Sequence, residues 1–543
     1  MSNLFGIGLS GLGAAQAGLT TTSNNISNVN TPGYTRRRAL LAEVANSNGG
    51  GGGVTVTGIQ RQYAQFLTAQ LNDAQSTASA TESHLNQISQ IDNLLGDSDA
   101  GLAPRIQDFF DSLATLAGSP EDSSARNAVL GDARDMASRF RSFASTLSDM
   151  GDAVDKRIAG AVDEVNNNAS QIAALNKQIT VTQARTGQPP NDLLDQRDQL
   201  VAETAKLINV DVTKNDDGSY NLTVGGQALV DANGSHRLTT VTDPDDPTRQ
   251  RLGYVSADGS TRVIPSDRVT GGEISGLLSF AADSLAPARA KLGQTAHDLA
   301  VAVNAQHKQG TDLAGDPGTA LFATGQPKVY ASENNTGAAT ASVAFAAGQS
   351  ERVTADNYRI EYNAAGDYEV TRAGDGSSVD TDFDSATNTL SFGGLEVTIS
   401  GAPDEGDVFT VRPLDDAAAS FSVAISDPAK LAAGQDGSPG DNTNANALAA
   451  LQQADVVEGK RSFSENYAQL VGDIGNQTQS LQVNSDSENA LTDELRQAQQ
   501  SVSGVNLDEA YVNLLYYRQM YQANARVIQT ASTVFDTVLS LGR

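Results

Sequence analysis

Four histidines, His84, His236, His297 and His307, are the side chains of this sequence best suited to metal or acid–base chemistry. None forms a helical pair four residues apart or an HExxH pattern, so zinc-type ligation has no support. His297 and His307 are expected to decorate one helix and its end. Cysteine is absent, which removes thiolate ligands, thiol nucleophiles and disulfides together. The loops at Asp217-Gly218 and Asp258-Gly259 have the composition of calcium loops. With Gly218 in the sixth EF-hand position, however, Thr213 stands first and Val224 twelfth, where a glutamate is required. These loops read as hairpin turns. Gly6-Ile7-Gly8 to Gly13 neither follows a strand nor fits a dinucleotide fingerprint, and there is no Walker sequence. The acidic pairs Asp216-Asp217 and Asp415-Asp416 are expected in polar turns, at a density that 19% charged residues would produce by chance. Arg36-Arg37-Arg38 reads as a solvated face, or as a contact for an acidic neighbour. No enzyme, cofactor or metal site is expected.

Composition narrows the partners. The 543 residues exceed what one core usually holds, so several domains are expected. A net charge of −29, from 36 basic and 65 acidic residues, argues against nucleic acid and anionic membranes, both of which select basic surfaces. No apolar run approaches the roughly 18 residues of a membrane span.

The positions with the clearest pattern lie at the two ends. Residues 505–543 predict one amphipathic helix with a heptad seam. Its first row is Leu507, Leu514, Tyr521, Ile528 and Phe535; its second is Ala510, Tyr517, Asn524, Ala531 and Val538. Asn506 can cap its start with Glu509 in a capping box, and Arg543 suits the negative end of the dipole. At the other end Phe5, Leu12, Leu19 and Ile26 repeat every seven residues, interleaved with Gly8, Ala15, Thr22 and Val29. Gly6, Gly8, Gly11, Gly13 and Gly18 each cost about 1 kcal/mol relative to alanine in a helix. This segment should therefore be poorly ordered alone and helical when a second helix packs closely on it. Residues 1–35 carry no charge, unlike a secretory signal peptide or a membrane-surface helix.

The stretch Ser23-Asn24-Asn25-Ile26-Ser27-Asn28-Val29-Asn30-Thr31-Pro32-Gly33-Tyr34-Thr35-Arg36 resembles the signature of bacterial flagellar rod, hook and hook-associated axial proteins. Pro32 and Gly33 fit the central positions of a type II turn that stops the helix near Val29. The asparagines can cap, or bond a neighbouring subunit's backbone. Ser503-Gly504-Val505-Asn506-Leu507-Asp508-Glu509-Ala510, followed by residues 521–531, is similar to the C-terminal motif of the same family. Asn191-Asp192-Leu193-Leu194-Asp195-Gln196-Arg197-Asp198-Gln199-Leu200 resembles its hook-associated members.

Between the ends, glycines 49–53 mark a flexible connection, and Val54-Thr55-Val56 a short strand. Helical periods run from Arg61 to Leu95, from Ile106 to Leu116 and, in one register, from Ala133 to Ile179. Another helix leads to Leu207. Hairpin signals fill residues 210–264, a helix resumes from Leu278 to Ala302, and alternating patterns dominate 329–413. A last long helix runs from Tyr467 to Val502, with a joint at Ser503-Gly504.

The expected fold is multidomain and mainly α with β insertions. A terminal coiled-coil assembly domain would hold residues 1–58 and 504–543. A rod-like helical bundle would hold 59–208, 270–325 and 441–503. A β-rich insertion would occupy 209–269, and an outer sandwich-like β domain 328–416.

The resemblance implies a structural subunit of the flagellum at the junction of hook and filament, polymerising through its terminal helices. It implies type III export without signal cleavage, an extracellular location, and four partners. These are other copies of the chain, the hook protein, a second hook-associated junction protein, and a small helical export chaperone on the C-terminal helix. The assembly residues would be Phe5, Leu12, Leu19, Ile26, Asn24, Asn25, Asn28, Asn30, Pro32, Gly33, Tyr34, Asn506, Leu507, Leu514, Tyr517, Tyr521, Asn524, Ile528, Phe535 and Val538. Another axial subunit of hook or filament type, a secreted coiled-coil adhesin with a β head, and an enzyme on a helical stalk are the competing readings.

Overall fold

A computed structural model describes residues 2–44, 52–96, 101–256, 258–438, 440–457 and 460–541. Glycines 49–51 of the expected flexible connection, residues 97–100 and Arg543 lie outside the described residues. Helix α1 (Ser2–Ser27) leads through the Pro32-Gly33 turn to an antiparallel hairpin of β1 (Arg37–Glu43) and β2 (Val54–Arg61). Four helices follow: α2 (Gln65–Leu95), α3 (Leu102–Gly118), α4 (Ser123–Thr186) and α5 (Asn191–Leu207). Strands β3 (Asp211–Lys214), β4 (Tyr220–Val224), β5 (Gln227–Asp231) and β6 (Gly234–Ser235) make one antiparallel sheet. A second comprises β7 (Arg237–Asp243), β8 (Asp246–Val255) and β9 (Thr261–Val263). Helix α6 (Gly272–Ser279) passes through a π-helical stretch, Phe280–Leu285, into α7 (Ala286–His307).

The chain then enters an outer unit by β10 (Phe322–Ala323). Strands β11 (Lys328–Ala331), β12 (Thr340–Phe345), β13 (Tyr358–Tyr362) and β14 (Tyr368–Arg372) lead to β15 (Asp382–Asp384), β16 (Thr389–Phe392), β17 (Leu395–Ser400) and β18 (Val408–Arg412). The chain returns by β19 (Ser422–Val423). Helices α8 (Thr443–Ala450), α9 (Phe463–Ser503) and α10 (Leu507–Leu541) complete it. This is the multidomain, mainly helical chain with β insertions that the sequence predicts.

The spine is α4. At about 1.5 Å per residue its 64 residues extend on the order of 96 Å. Asp122 caps it, accepting from the Ser124 amide at 2.7 Å, and Gly187 closes it in the left-handed region at φ 65°. Its buried stripe from Val129 to Ala173 joins α3, α5 and the two small sheets in one continuous core. Helices α2 and α9 pack antiparallel: Tyr467 donates to the Leu95 carbonyl at 3.0 Å, and Gln499 to Thr68 at 3.2 Å.

The outer unit has its own core. Sheets β11-β18-β13-β14 and β12-β17-β16-β15 face each other across Tyr358, Ile360, Phe409, Leu390, Phe392 and Val397. Tyr358 and Phe392 meet edge to face at 5.1 Å. A clasp fastens this unit to the tip of the β7–β8 hairpin. Buried Arg412 reaches Asp246, Thr248 and, at 2.7 Å, Asp415, and Ser332 donates to Asp245 at 2.6 Å. Asp415 is therefore no chance pair in a polar turn. Burial pushes its carboxyl up while Arg412 pulls it down.

The histidines also depart from expectation. His297 and His307 are buried rather than decorative. His297 packs at a tilt against Phe345, ring centroids 4.6 Å apart, and donates to the Ser350 carbonyl. His307 has a fixed tautomer: Nδ1–H donates to the Thr319 carbonyl at 2.6 Å and Nε2 accepts from the Ala432 amide at 2.9 Å. Burial holds this imidazole below its usual 6.5, outweighing the Thr319 bond and Asp312. The stability it contributes is complete above pH 6.5 and is lost as pH falls toward the depressed folded value. His307→Gln should cost about 1–3 kcal/mol near neutrality. Its melting temperature should approach the parent's as the buffer is taken from about pH 7.5 to about pH 5.5. A difference in melting temperature independent of pH would refute this account.

Candidate assembly site

The two chain ends form one antiparallel coil. A Cβ built on Gly8 would lie 2.7 Å from Ile528 Cγ1, on Gly11 2.3 Å from Asn524 Oδ1, and on Gly18 2.4 Å from Tyr517 Cδ1. These glycines let α10 approach the α1 backbone closely, which repays their conformational cost. Gly6 and Gly13 meet nothing within 4 Å. The second heptad row thus makes most of the contact, joined by Ile528 of the first row, which lies over Gly8. Ala510 and Ala531 are buried and Tyr517 and Asn524 sit over the glycines. Leu507, Tyr521 and Phe535 of the first row are exposed, as is Val538, while Leu514 and Ile528 are half-buried. On α1, Gly8, Ala15 and Thr22 are buried, and Phe5, Leu12, Leu19, Ile26 and Val29 half-buried. On α1 the larger side chains flank a seam made by small ones.

The opposite side of α1 rests on the β1–β2 hairpin. Ser10 accepts from the Val54 amide at 3.1 Å. Asn25 donates to the Arg37 carbonyl at 2.8 Å and accepts from the Arg37 amide and the Tyr34 hydroxyl. Asn25 and Tyr34 therefore work inside the chain. Asn28 bonds the Asn24 carbonyl and Thr31, and Asn24, Asn30 and Pro32 are exposed. The Thr31–Tyr34 turn closes through Tyr34 N–H and the Thr31 carbonyl, with Gly33 at φ +76°.

The hairpin is held by α5. Asp192, Asp195 and Asp198, three apart, share one helix face. Asp195 accepts from Thr35 Oγ1 at 2.5 Å, Arg37 at 3.1 Å and Arg61 at 3.1 Å. Asp192 pairs with Arg37 and Asp198 with Arg61. Burial works to lower the Arg61 pKa, yet Asp198 and Asp195 hold it above its ordinary value. Burial raises Asp198, and Arg61 and Arg197 only partly offset this. Beneath them Arg197 is fully buried, donating to the Gly218 carbonyl at 2.7 Å and lying 3.4 Å over the Tyr220 ring. Asp217 meanwhile closes its own turn by accepting from Ser219, as a hairpin should.

At the elbow between coil and body, the Arg36 amide donates to the Ser503 carbonyl at 2.7 Å, and its guanidinium bonds the Val502 carbonyl and Glu509. Asn506 caps α10 through the Asp508 and Glu509 amides at 2.9 and 3.2 Å. Glu509 is spent on Arg36, so the expected capping box is not formed. Arg36 and Arg37 are internal ties rather than a solvated face; Arg38 is exposed. Sequence reasoning did not find β1 or the ties to Asp195. The aspartates at 192, 195 and 198, three apart on one helix face, were the available signal, although of the arginines at 36–38 only Arg37 meets them.

A coil made from both chain ends, tied back to a helical body through an elbow, is the plan of an axial subunit of the bacterial flagellum. Family models agree: "Flagella basal body rod protein" matches residues 5–35, and "Flagellar basal body rod FlgEFG protein C-terminal" matches 496–541. Between them, "Flagellar hook-associated protein FlgK helical domain" matches 88–322 and "Flagellar hook-associated protein 1, D2-like domain" matches 330–413. The chain is 40% identical to flagellar hook-associated protein 1 of Salmonella typhimurium, over 100% of both chains, and 40% identical to that of Escherichia coli, again over 100% of both. The structure of the flagellar hook junction protein FlgK from Burkholderia pseudomallei superposes with a TM-score of 0.75 at 29% identity, covering 80% of this chain and all of that one. The chain belongs to the flagellar hook-associated protein 1 family, the structural subunits of the flagellar hook–filament junction.

Proposed function

We propose that the coil of α1 and α10 polymerises side by side with the coils of neighbouring copies, hook protein below and a second hook-associated junction protein above. The observation that carries this is a pair of exposed apolar flanks on α10, one on each side of the seam. Leu507, Tyr511 and Tyr521, with the half-buried Leu514 beside them, form one; Tyr516, Val527, Val534 and Val538 form the other. Two different flanks suit a head-to-tail contact that closes into a ring, whereas a single flank would suit a two-fold dimer. Between them, facing away from α1, the helix from Arg518 onward carries a polar strip suited to a water-filled bore, made by Arg518, Gln522, Arg526, Gln529, Thr533 and Asp536 and preceded by exposed Val512 and Leu515.

On this reading residues 1–58 and 504–543 are the assembly domain. Residues 59–208, 270–325 and 441–503 are the rod, 209–269 its β insertion, and 328–416 the outward domain. Asn24, Asn30, Pro32 and Phe535 join the flanks as contacts to neighbours. Before export, an apolar helix so exposed is an aggregation hazard. We assign its cover in the cell to a small helical chaperone, released on passage to the extracellular face of the flagellum.

Val534→Glu with Phe535→Glu tests both claims, because both residues are exposed in the isolated chain. Electron microscopy should show bare hooks, with filament protein in the medium, and the variant should fail to bind the chaperone. Normal filaments on such hooks would sink the reading.

A further inference from the structure

The elbow encloses a polar cavity of about 370 Å³ that none of the contacts above fills. Its wall includes Thr21, Arg36, Arg37, Arg38, Asn513 and Tyr516. We propose that this cavity is a socket for a carboxylate side chain supplied by a neighbouring copy of this chain. The proposal rests on the side-by-side reading of the coil.

Three observations carry it. First, the charges on the wall do not balance. Arg36 is matched by Glu509, and Arg37 by Asp192 and Asp195, but Arg38 has no partner among the described residues. In a chain with 65 acidic and 36 basic side chains, an arginine left unmatched within a polar hollow is an open position for an anion. Second, hydrogen-bonding capacity is left over around it. Thr21 is 4% exposed, yet its hydroxyl has no partner, and the Nε–H groups of Arg36 and Arg37 are likewise buried without an acceptor. Buried donors left open cost stability unless something completes them. Third, the cavity is continuous with one apolar flank. Tyr516 is both part of its wall and the first residue of the flank that continues to Val527, Val534 and Val538. A copy that covers the flank therefore also comes over the cavity.

Such a copy brings suitable groups. Its coil carries Asp508 and Asp536, neither of which is paired within its own chain among the described residues. An Arg–carboxylate contact repeated at every subunit would fix the axial position of one coil against the next, where apolar flanks alone would let them slide.

The experiment places a photo-crosslinking benzoylphenylalanine at Arg38, and separately at Asn513 on the same wall, in the full chain expressed in a deletion strain. Irradiation should yield a dimer of this chain. Alongside it, Arg38→Glu should lower the number of filament-bearing hooks about tenfold. The purified variant should still melt like the parent, because Arg38 is exposed and holds nothing in its own chain. Crosslinks to a different flagellar protein, no crosslink at either position, or normal filaments with Arg38→Glu would each overturn the socket. If Arg38→Glu is normal while Val534→Glu with Phe535→Glu gives bare hooks, the socket fails alone. If the flank variant also carries filaments, the reading beneath it fails first.

Discussion

Leucine at both Gly11 and Gly18 should leave cells with hooks that carry no filaments. A side chain at Gly11 would start 2.3 Å from Asn524 Oδ1, and one at Gly18 2.4 Å from the Tyr517 ring, both far inside van der Waals contact. The seam has no spare volume: Asn524 is tied at 2.9 Å to the Met520 carbonyl, and Tyr517 packs edge to face on Tyr516 at 5.4 Å. Overpacking of this kind costs about 1–3 kcal/mol per site. A two-helix coil with exposed flanks has little else to hold it together. The coil should open while the body, whose core is separate from it, melts at the parent temperature. Alanine at Gly6 and Gly13 is the matched control. There a Cβ meets nothing within 4 Å, so each change should stabilise α1 by about 1 kcal/mol. Filament counts by electron microscopy and melting by circular dichroism decide the matter. Leucine variants that swim normally would show that α1 and α10 do not pair in the working protein.

Asp195→Ala should release the β1–β2 hairpin from the body at a cost of about 3–5 kcal/mol. The loss removes the acceptor shared by Thr35, Arg37 and Arg61 in a site where Asp195 is 7% exposed. Arg61 would keep Asp198, but Arg37 would be left with Asp192, which is 79% exposed and screened by water. Asp192→Ala should accordingly cost no more than about 0.5 kcal/mol. Amide hydrogen exchange over β1 and β2 reports the difference directly. Fast exchange with Asp195→Ala and slow exchange with Asp192→Ala is the expected pair, and equal protection in both would refute the ranking. Because Arg36 continues from this hairpin to the Ser503 carbonyl, loosening Asp195 should also free the angle between coil and body.

Helical periods stand out in this sequence because they are local. The α4 stripe, the break at Ser503-Gly504 and the Asn506 cap all depend on neighbours within a few turns, and each was readable. Of the two rows of the α10 seam, the second lies closer to α1 along most of its length, for a physical reason. Where glycines face a helix, they make room for side chains of any size, so Tyr517, Asn524 and Ile528 all press on α1 beside the buried Ala510 and Ala531, while Leu507, Tyr521 and Phe535 stay exposed. Strand β1 was missed because Arg-Arg-Ala-Leu-Leu-Ala-Glu has good helix formers and buries only Ala39, so no period of two appears. The ties from Asp195 to Thr35 and Arg37 join positions about 160 residues apart. No spacing rule reaches that far. Likewise, the burial of His297 and His307 depends on the outer sheet and on residues 319 and 432, which only the fold brings to them.

The outer pair of sheets leaves and returns at a single doorway. Lys328, at its first strand, is the cross-strand partner of Arg412, at its last, and β10 and β19 continue the same two paths toward the body. To the remaining chain, everything from 329 to 411 is thus equivalent to the tip of one long hairpin. A lineage could exchange it for a different module, enlarge it or shorten it to a plain turn without re-routing any helix. The conditions are that the clasp at Asp246 and the packing around His297 are resealed. Its surface is therefore the part of the molecule most free to diversify, as a display platform carried on a mechanical frame that need not change with it.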